Sequence, residues 1–166
     1  MLDWIWQVKV GAQEAALIAL ILLAFLRGAA PERGVAITFT MMIAADRLYH
    51  WFLPSGLFSI GIDLGHCGID FSAFISILVI ALRANRIYPL CLAALQLAAT
   101  ISHVVMGLNP SLLRSAYAIL MIAPSYLQIL VLGLGILLHW RRTVRRGRYP
   151  SWLRSSPHSQ GAVPPQ

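Results

Sequence analysis

Residues 34–53, GVAITFTMMIAADRLYHWFL, and residues 63–82, DLGHCGIDFSAFISILVIAL, decide the reading of this chain. Each is long enough for a transmembrane helix, which needs about 20 apolar residues to cross about 30 Å of hydrocarbon. Each also carries ionisable residues at one end, and the two ends mirror each other. Asp46-x-x-x-His50 leaves the first stretch, and His66-x-x-x-Asp70 enters the second. An i,i+4 spacing sets each Asp and His on one face of its helix, and Asp63 joins that face at i−3 from His66. A charged side chain at a helix centre in the bilayer costs about 2.5–3.5 kcal/mol on insertion scales. Such residues are therefore kept where they pair, line water or do chemistry.

Working outward, three more stretches have spanning length: about 10–26, 87–106 and 116–139, the first interrupted by Gln13 and Glu14. The composition agrees. The chain is 58% hydrophobic and 11% charged with a mean hydropathy of +0.73, whereas soluble domains carry about 25% charge. Turn residues separate the stretches at Arg27-Gly-Ala-Ala-Pro31, Pro54-Ser-Gly56, Arg83-Ala-Asn-Arg86 and Gly107-Leu-Asn-Pro110. Lipid offers the backbone no hydrogen-bond partner, so the fold class is all-α. The expectation is a polytopic bundle of five transmembrane helices over residues 1–140, followed by a basic juxtamembrane segment and a disordered tail over 141–166. From Ser155 onward Ser, Pro, Gly and Gln dominate.

Orientation follows from the basic residues. With five crossings, Lys9 and Arg114 lie on one side. Arg27, Arg33, Arg83, Arg86, Arg141, Arg142, Arg145, Arg146, Arg148 and Arg154 lie on the other. That asymmetry places the C-terminus in the cytoplasm and the N-terminus outside, in a bacterial inner membrane. The net charge of +7 belongs to this topology pattern, and no nucleic-acid-binding face is indicated. Trp4 and Trp6 serve as interfacial anchors. The first stretch reads as a retained helix, because a signal peptide wants its basic residues ahead of the apolar core. The segment Trp140-Arg-Arg-Thr-Val-Arg-Arg-Gly-Arg-Tyr149 adheres to anionic lipids, each basic residue contributing about 1 kcal/mol. Cys67 and Cys91 fall at opposite ends of their helices, beyond the ~7 Å reach of a disulfide, and read as packing residues.

The candidate site is a layer of side chains at one depth in the outer leaflet. His50, His66 and His103 each lie about 4–5 Å inside a helix end, and Asp46 and Asp70 lie one turn deeper. Asp63, Glu14, Arg47 and Gln96 support them. Three readings apply. The cluster is a metal site, since three imidazoles with carboxylates match zinc's ligand preference, and a zinc ion there activates water in a small hydrolase-like site. It is alternatively an interhelical polar network, with Arg47 balancing a carboxylate, in a structural or accessory subunit of a larger membrane complex or a homo-oligomer. Thirdly, it is a proton or small-solute pathway. Haem is a variant of the metal reading, through His50 with His103 or His66 with His103. The ingredients are similar to those of seven-helix zinc hydrolases of the ceramidase and adiponectin-receptor type. Five spans and a different motif order mean that no residue role is carried over from them.

Two features flank this layer. Ala94, Ala98 and Ser102 form a small-residue stripe that admits a neighbouring helix. Pro124 removes a backbone donor and frees the Leu120 carbonyl, with Ser125 and Gln128 nearby to compensate and Tyr117 and Met121 on the same face.

Overall fold

The computed structural model describes residues 2–59, 62–108, 114–147 and 150–152. Among them are five α-helices: α1 (Leu2–Arg27), α2 (Ala30–Phe52), α3 (Leu64–Arg83), α4 (Tyr88–Leu108) and α5 (Arg114–Arg146). Each packs on its neighbour in sequence, and α5 returns to α1, closing the bundle into a ring. Three of the five, Leu64–Arg83, Tyr88–Leu108 and the Ile122–Arg146 part of α5, are long and apolar enough to cross a membrane. In α2, Glu32, Asp46, Arg47 and His50 dilute the apolar run. The side chains of Trp4, Trp6, Lys9, Arg114, Tyr117 and Met121, the turn at 109–110 and the tail from 155 lie outside the described residues.

The ends of the helices have identifiable causes. Two residues connect α1 to α2, and a Cβ on Gly28 would fall 2.4 Å from the Ala24 carbonyl oxygen, so only glycine allows the turn. The Ala29 amide then donates to Glu32 Oε2 at 3.0 Å, satisfying one of the amides that a helix start leaves without a partner. Asp63 caps α3, accepting from the Gly65 and His66 amides at 3.1 and 3.3 Å. Gly147, at φ 77°, ends α5 in the left-handed conformation, its amide bonded to the Thr143 carbonyl at 2.9 Å.

Between α2 and α3 the chain forms a small antiparallel hairpin, β1 (Phe58–Ser59) and β2 (Ile62–Asp63), where the sequence reads only as a turn. Leu64 donates to the Leu57 carbonyl at 2.8 Å and extends the pairing. The hairpin delivers Asp63 to the head of α3, and β2 rests on α4.

All five helices contribute to one core of Ala24, Val35, Ala36, Phe39, Ile77, Leu92, Ala93, Leu132 and Ile136. Many large apolar side chains remain on the outside, among them Leu26 (77% exposed), Leu82 (64%) and Leu138 (61%). Apolar side chains on the outside of apolar helices are compatible with a membrane around them. Beside the core, the Glu32 carboxylate, fully buried, pairs with the Arg86 guanidinium across the α1–α2 and α3–α4 turns.

Candidate metal centre

Asp46 and His50 stand one turn apart at the end of α2, and His66 occupies the first turn of α3. The hairpin returns the chain so that these ends meet. Asp46 Oδ1 lies 3.1 Å from His66 Nε2 and 3.8 Å from His50 Nε2. One donor atom from each of the three residues falls within 4.8 Å of the others. Donors around a filled tetrahedral zinc stand about 3.3 Å apart, given bonds of about 2.0–2.1 Å. His50, whose side chain is 55% exposed, has the rotamer freedom to close that difference.

His66 is held from behind. Its Nδ1 lies 2.7 Å from Asp63 Oδ2, while Asp63 Oδ1 accepts the Tyr49 hydroxyl at 2.7 Å together with the two capping amides. The Tyr49 oxygen in turn accepts the Leu57 amide at 2.5 Å. Tyr49 reaches this position because α3 begins Leu64-Gly65: a Cβ on Gly65 would lie 2.2 Å from the Tyr49 ring. The Tyr49 hydroxyl, the Gly65 and His66 amides and the His66 ring thus converge on this one carboxylate.

Both ring nitrogens of His66 face carboxylate oxygens, Nδ1 toward Asp63 at 2.7 Å and Nε2 toward Asp46 at 3.1 Å. A neutral imidazole carries one N–H, so it donates to one carboxylate and turns a lone pair toward the other, where a cation would bridge the pair. A carboxylate on the far nitrogen is also what orients histidine ligands in metal sites.

The remaining members of the layer go elsewhere. Asp70 Oδ2 lies 3.0 Å from His103 Nε2, and Asp70 Oδ1 accepts Gln96 Nε2 at 3.0 Å. Gln96 Oε1 accepts Gln128 Nε2 at 2.6 Å. This chain crosses α3, α4 and α5 and is closed to water at Gln96 and Gln128. The five expected ligands thus divide into Asp46–His50–His66 and Asp70–His103. The His66 and His103 rings stack 6.1 Å apart with planes 19° off parallel.

Glu14 takes no place in the cluster. It pairs with Arg47 at 2.5 Å, joining α1 to α2 on an exposed face. Ser125 Oγ donates to the Ile122 carbonyl at 2.8 Å and accepts Gln13 Nε2 at 2.9 Å, so it serves the helix around Pro124 while tying α5 to α1. Ser102 Oγ donates to the Ala98 carbonyl within α4. Cys67 and Cys91 are both free thiols.

The sequence reading missed Tyr49, the hairpin amide of Leu57 and the reach of Gln128. Tyr49 carried one available signal: it precedes His50 and lies one turn from Asp46, at the end where the ionisable residues gather. The chain matches no protein-family model, no curated protein and no solved structure.

Proposed function

We propose that this chain is a multi-pass protein of the bacterial inner membrane in which Asp46, His50 and His66 bind one divalent transition ion. The observation that carries this reading is His66 set between two carboxylates, 2.7 Å from Asp63 on one nitrogen and 3.1 Å from Asp46 on the other. Two imidazoles and a carboxylate suit zinc, and three protein ligands leave a fourth position open. A zinc ion there supplies an activated water, lowering its pKa to about 7, so the site is hydrolase-like in its chemistry. Asp63 and Tyr49 act as positioning residues behind His66.

The five-span arrangement belongs to the same proposal. α1 and α2 are 26 and 23 residues long and complete a ring with three helices of membrane-spanning character. The basic residues then place the C-terminus in the cytoplasm and the metal centre in the outer leaflet. A fluorescent protein that matures only in the cytoplasm, fused to the C-terminus, is expected to be bright. A phosphatase active only in the periplasm is expected to be silent at the same position. The reverse pattern overturns the orientation and the depth assigned to the site.

A second reading has its own observation. The Asp70–Gln96–Gln128 chain, with His103 bonded to Asp70, is a satisfied interhelical network of the kind that sets helix register. It suits the scaffold of a structural or accessory subunit. Zinc analysis of protein purified without chelators separates the two. The metal reading expects about one zinc per chain, as one three-ligand site implies. His103→Gln is expected to keep that zinc, since His103 is engaged by Asp70. No zinc in the wild-type protein, nor after zinc addition, leaves the subunit reading alone. Loss of zinc in His103→Gln brings His103 into the ligand set and overturns the three-residue site.

A further inference from the structure

At the other end of the bundle, about 20 Å from the metal centre along α2, lies a cavity of about 760 Å³. It opens between the α3–α4 turn and the last turns of α5. Arg86, His139, Arg141, Arg142, Arg145 and Arg146 line it, and among the described residues no carboxylate does. The nearby Glu32 carboxylate is already taken by Arg86 and the Ala29 amide.

The walls are built. The Tyr88 hydroxyl is buried at the base, and its ring lies so close to α5 that a Cβ on Gly135 would come within 2.8 Å of it. Ser151 and Trp152 lie against the α3–α4 turn. There the Asn85 amide donates to the Ser151 carbonyl at 3.2 Å, and Ala84 bridges Trp152. The turn carrying Asn85 and Arg86 is thereby tied from both sides.

The charges in this cavity are unfavourable to one another. Arg141 with Arg145, and Arg142 with Arg146, are like-charged i,i+4 pairs, a spacing that destabilises a helix. These four arginines are exposed at the rim, while Arg86, 6% exposed, sits deeper and is paired with Glu32. Arg forks fit the oxygens of a phosphate in bidentate fashion, and the volume is that of a small-molecule site, about 300–1,000 Å³. We propose that this cavity is an anion site that takes a phosphate-bearing group, either the headgroup of an anionic lipid or a free phosphorylated molecule.

Two probes and two paired variants test it on the full-length, delipidated protein in detergent. Inorganic pyrophosphate is titrated by calorimetry, and phosphatidylglycerol retention is followed by native mass spectrometry. The double variant Arg141→Gln/Arg145→Gln removes two exposed arginines from the cavity rim. Arg27→Gln/Arg33→Gln removes the same charge outside it. Saturable binding of either probe is expected, weakened at least tenfold in the first variant and less than twofold in the second. Pyrophosphate binding alone identifies a soluble ligand, and lipid retention alone identifies a headgroup; both support the site. If the first variant does not fold, Arg145→Gln read against Arg33→Gln replaces the pair. Binding of neither probe, or equal loss in the rim and control variants, overturns the proposal.

Discussion

His66→Ala is expected to empty the metal centre, lowering zinc affinity by well over about 100-fold. Losing even the group behind a histidine ligand costs roughly 10–100-fold, and here the ligand itself goes. The informative partner is Asp63→Asn. Asparagine caps a helix about as well as aspartate and keeps an acceptor for Tyr49, so α3 should start in the same place and melt at nearly the same temperature. It removes the negative charge on the Nδ1 side of His66, and zinc affinity is expected to fall by about 10–100-fold. A structural network predicts the opposite order: Asp63→Asn and His66→Ala would change stability together and leave metal content alike. Competition titrations with a chromogenic chelator, beside thermal melts with and without zinc, read both quantities. Equal zinc in wild type and His66→Ala would rule out the site.

That His50, His66 and His103 gather at one end of the bundle was legible in the sequence, because height along a helix depends only on position, at about 1.5 Å per residue. Rotation about the helix axis was not. His66 and Asp70 share a face at i,i+4, yet they are offset by about 40° at 3.6 residues per turn. That offset is enough to send His66 to α2 and Asp70 to His103 and Gln96 on α4. Mirror symmetry of the two short motifs suggested that Asp46/His50 meets His66/Asp70. In the structure one half of the second motif crosses to α2 while the other half turns away. The hairpin at 58–63 was hidden for a different reason. Two-residue strands have no periodicity to detect, and this pair is held by the Leu64–Leu57 and Leu57–Tyr49 hydrogen bonds rather than by pattern. Gln128 shows the same limit. Its sequence neighbour Pro124 suggested a local role, while its partner Gln96 is 32 residues away. Glu32 and Arg86, 54 residues apart, both sit in turn-like stretches whose arginines read as topology signals, and nothing local marks them as a pair.

That pair carries the largest expected effect on stability. Glu32→Gln keeps the hydrogen-bond acceptor for the Ala29 amide, because a glutamine at the third helical position caps as glutamate does. What it removes is the charge facing Arg86, whose side chain is 6% exposed. Removing one partner of a buried ion pair leaves the other charge buried without its counter-ion, at about 3–5 kcal/mol. In a chain of this length that corresponds to a fall on the order of 10 °C in the melting midpoint. Arg86→Met/Glu32→Gln is expected to recover most of it, since two apolar or neutral side chains of similar volume are often as stable as the pair they replace. A coupling energy near zero in this double-mutant cycle would mean that water reaches both groups and that burial does not govern them. The same variant bears on the basic cavity. With Glu32 neutral, Arg86 adds its full charge to that of Arg141, Arg142, Arg145 and Arg146, so an anion bound there replaces the missing carboxylate. Pyrophosphate should therefore raise the melting midpoint of Glu32→Gln more than that of the wild type, because a ligand stabilises by its affinity for the folded state. An equal rise in both proteins would uncouple the Glu32–Arg86 pair from the cavity.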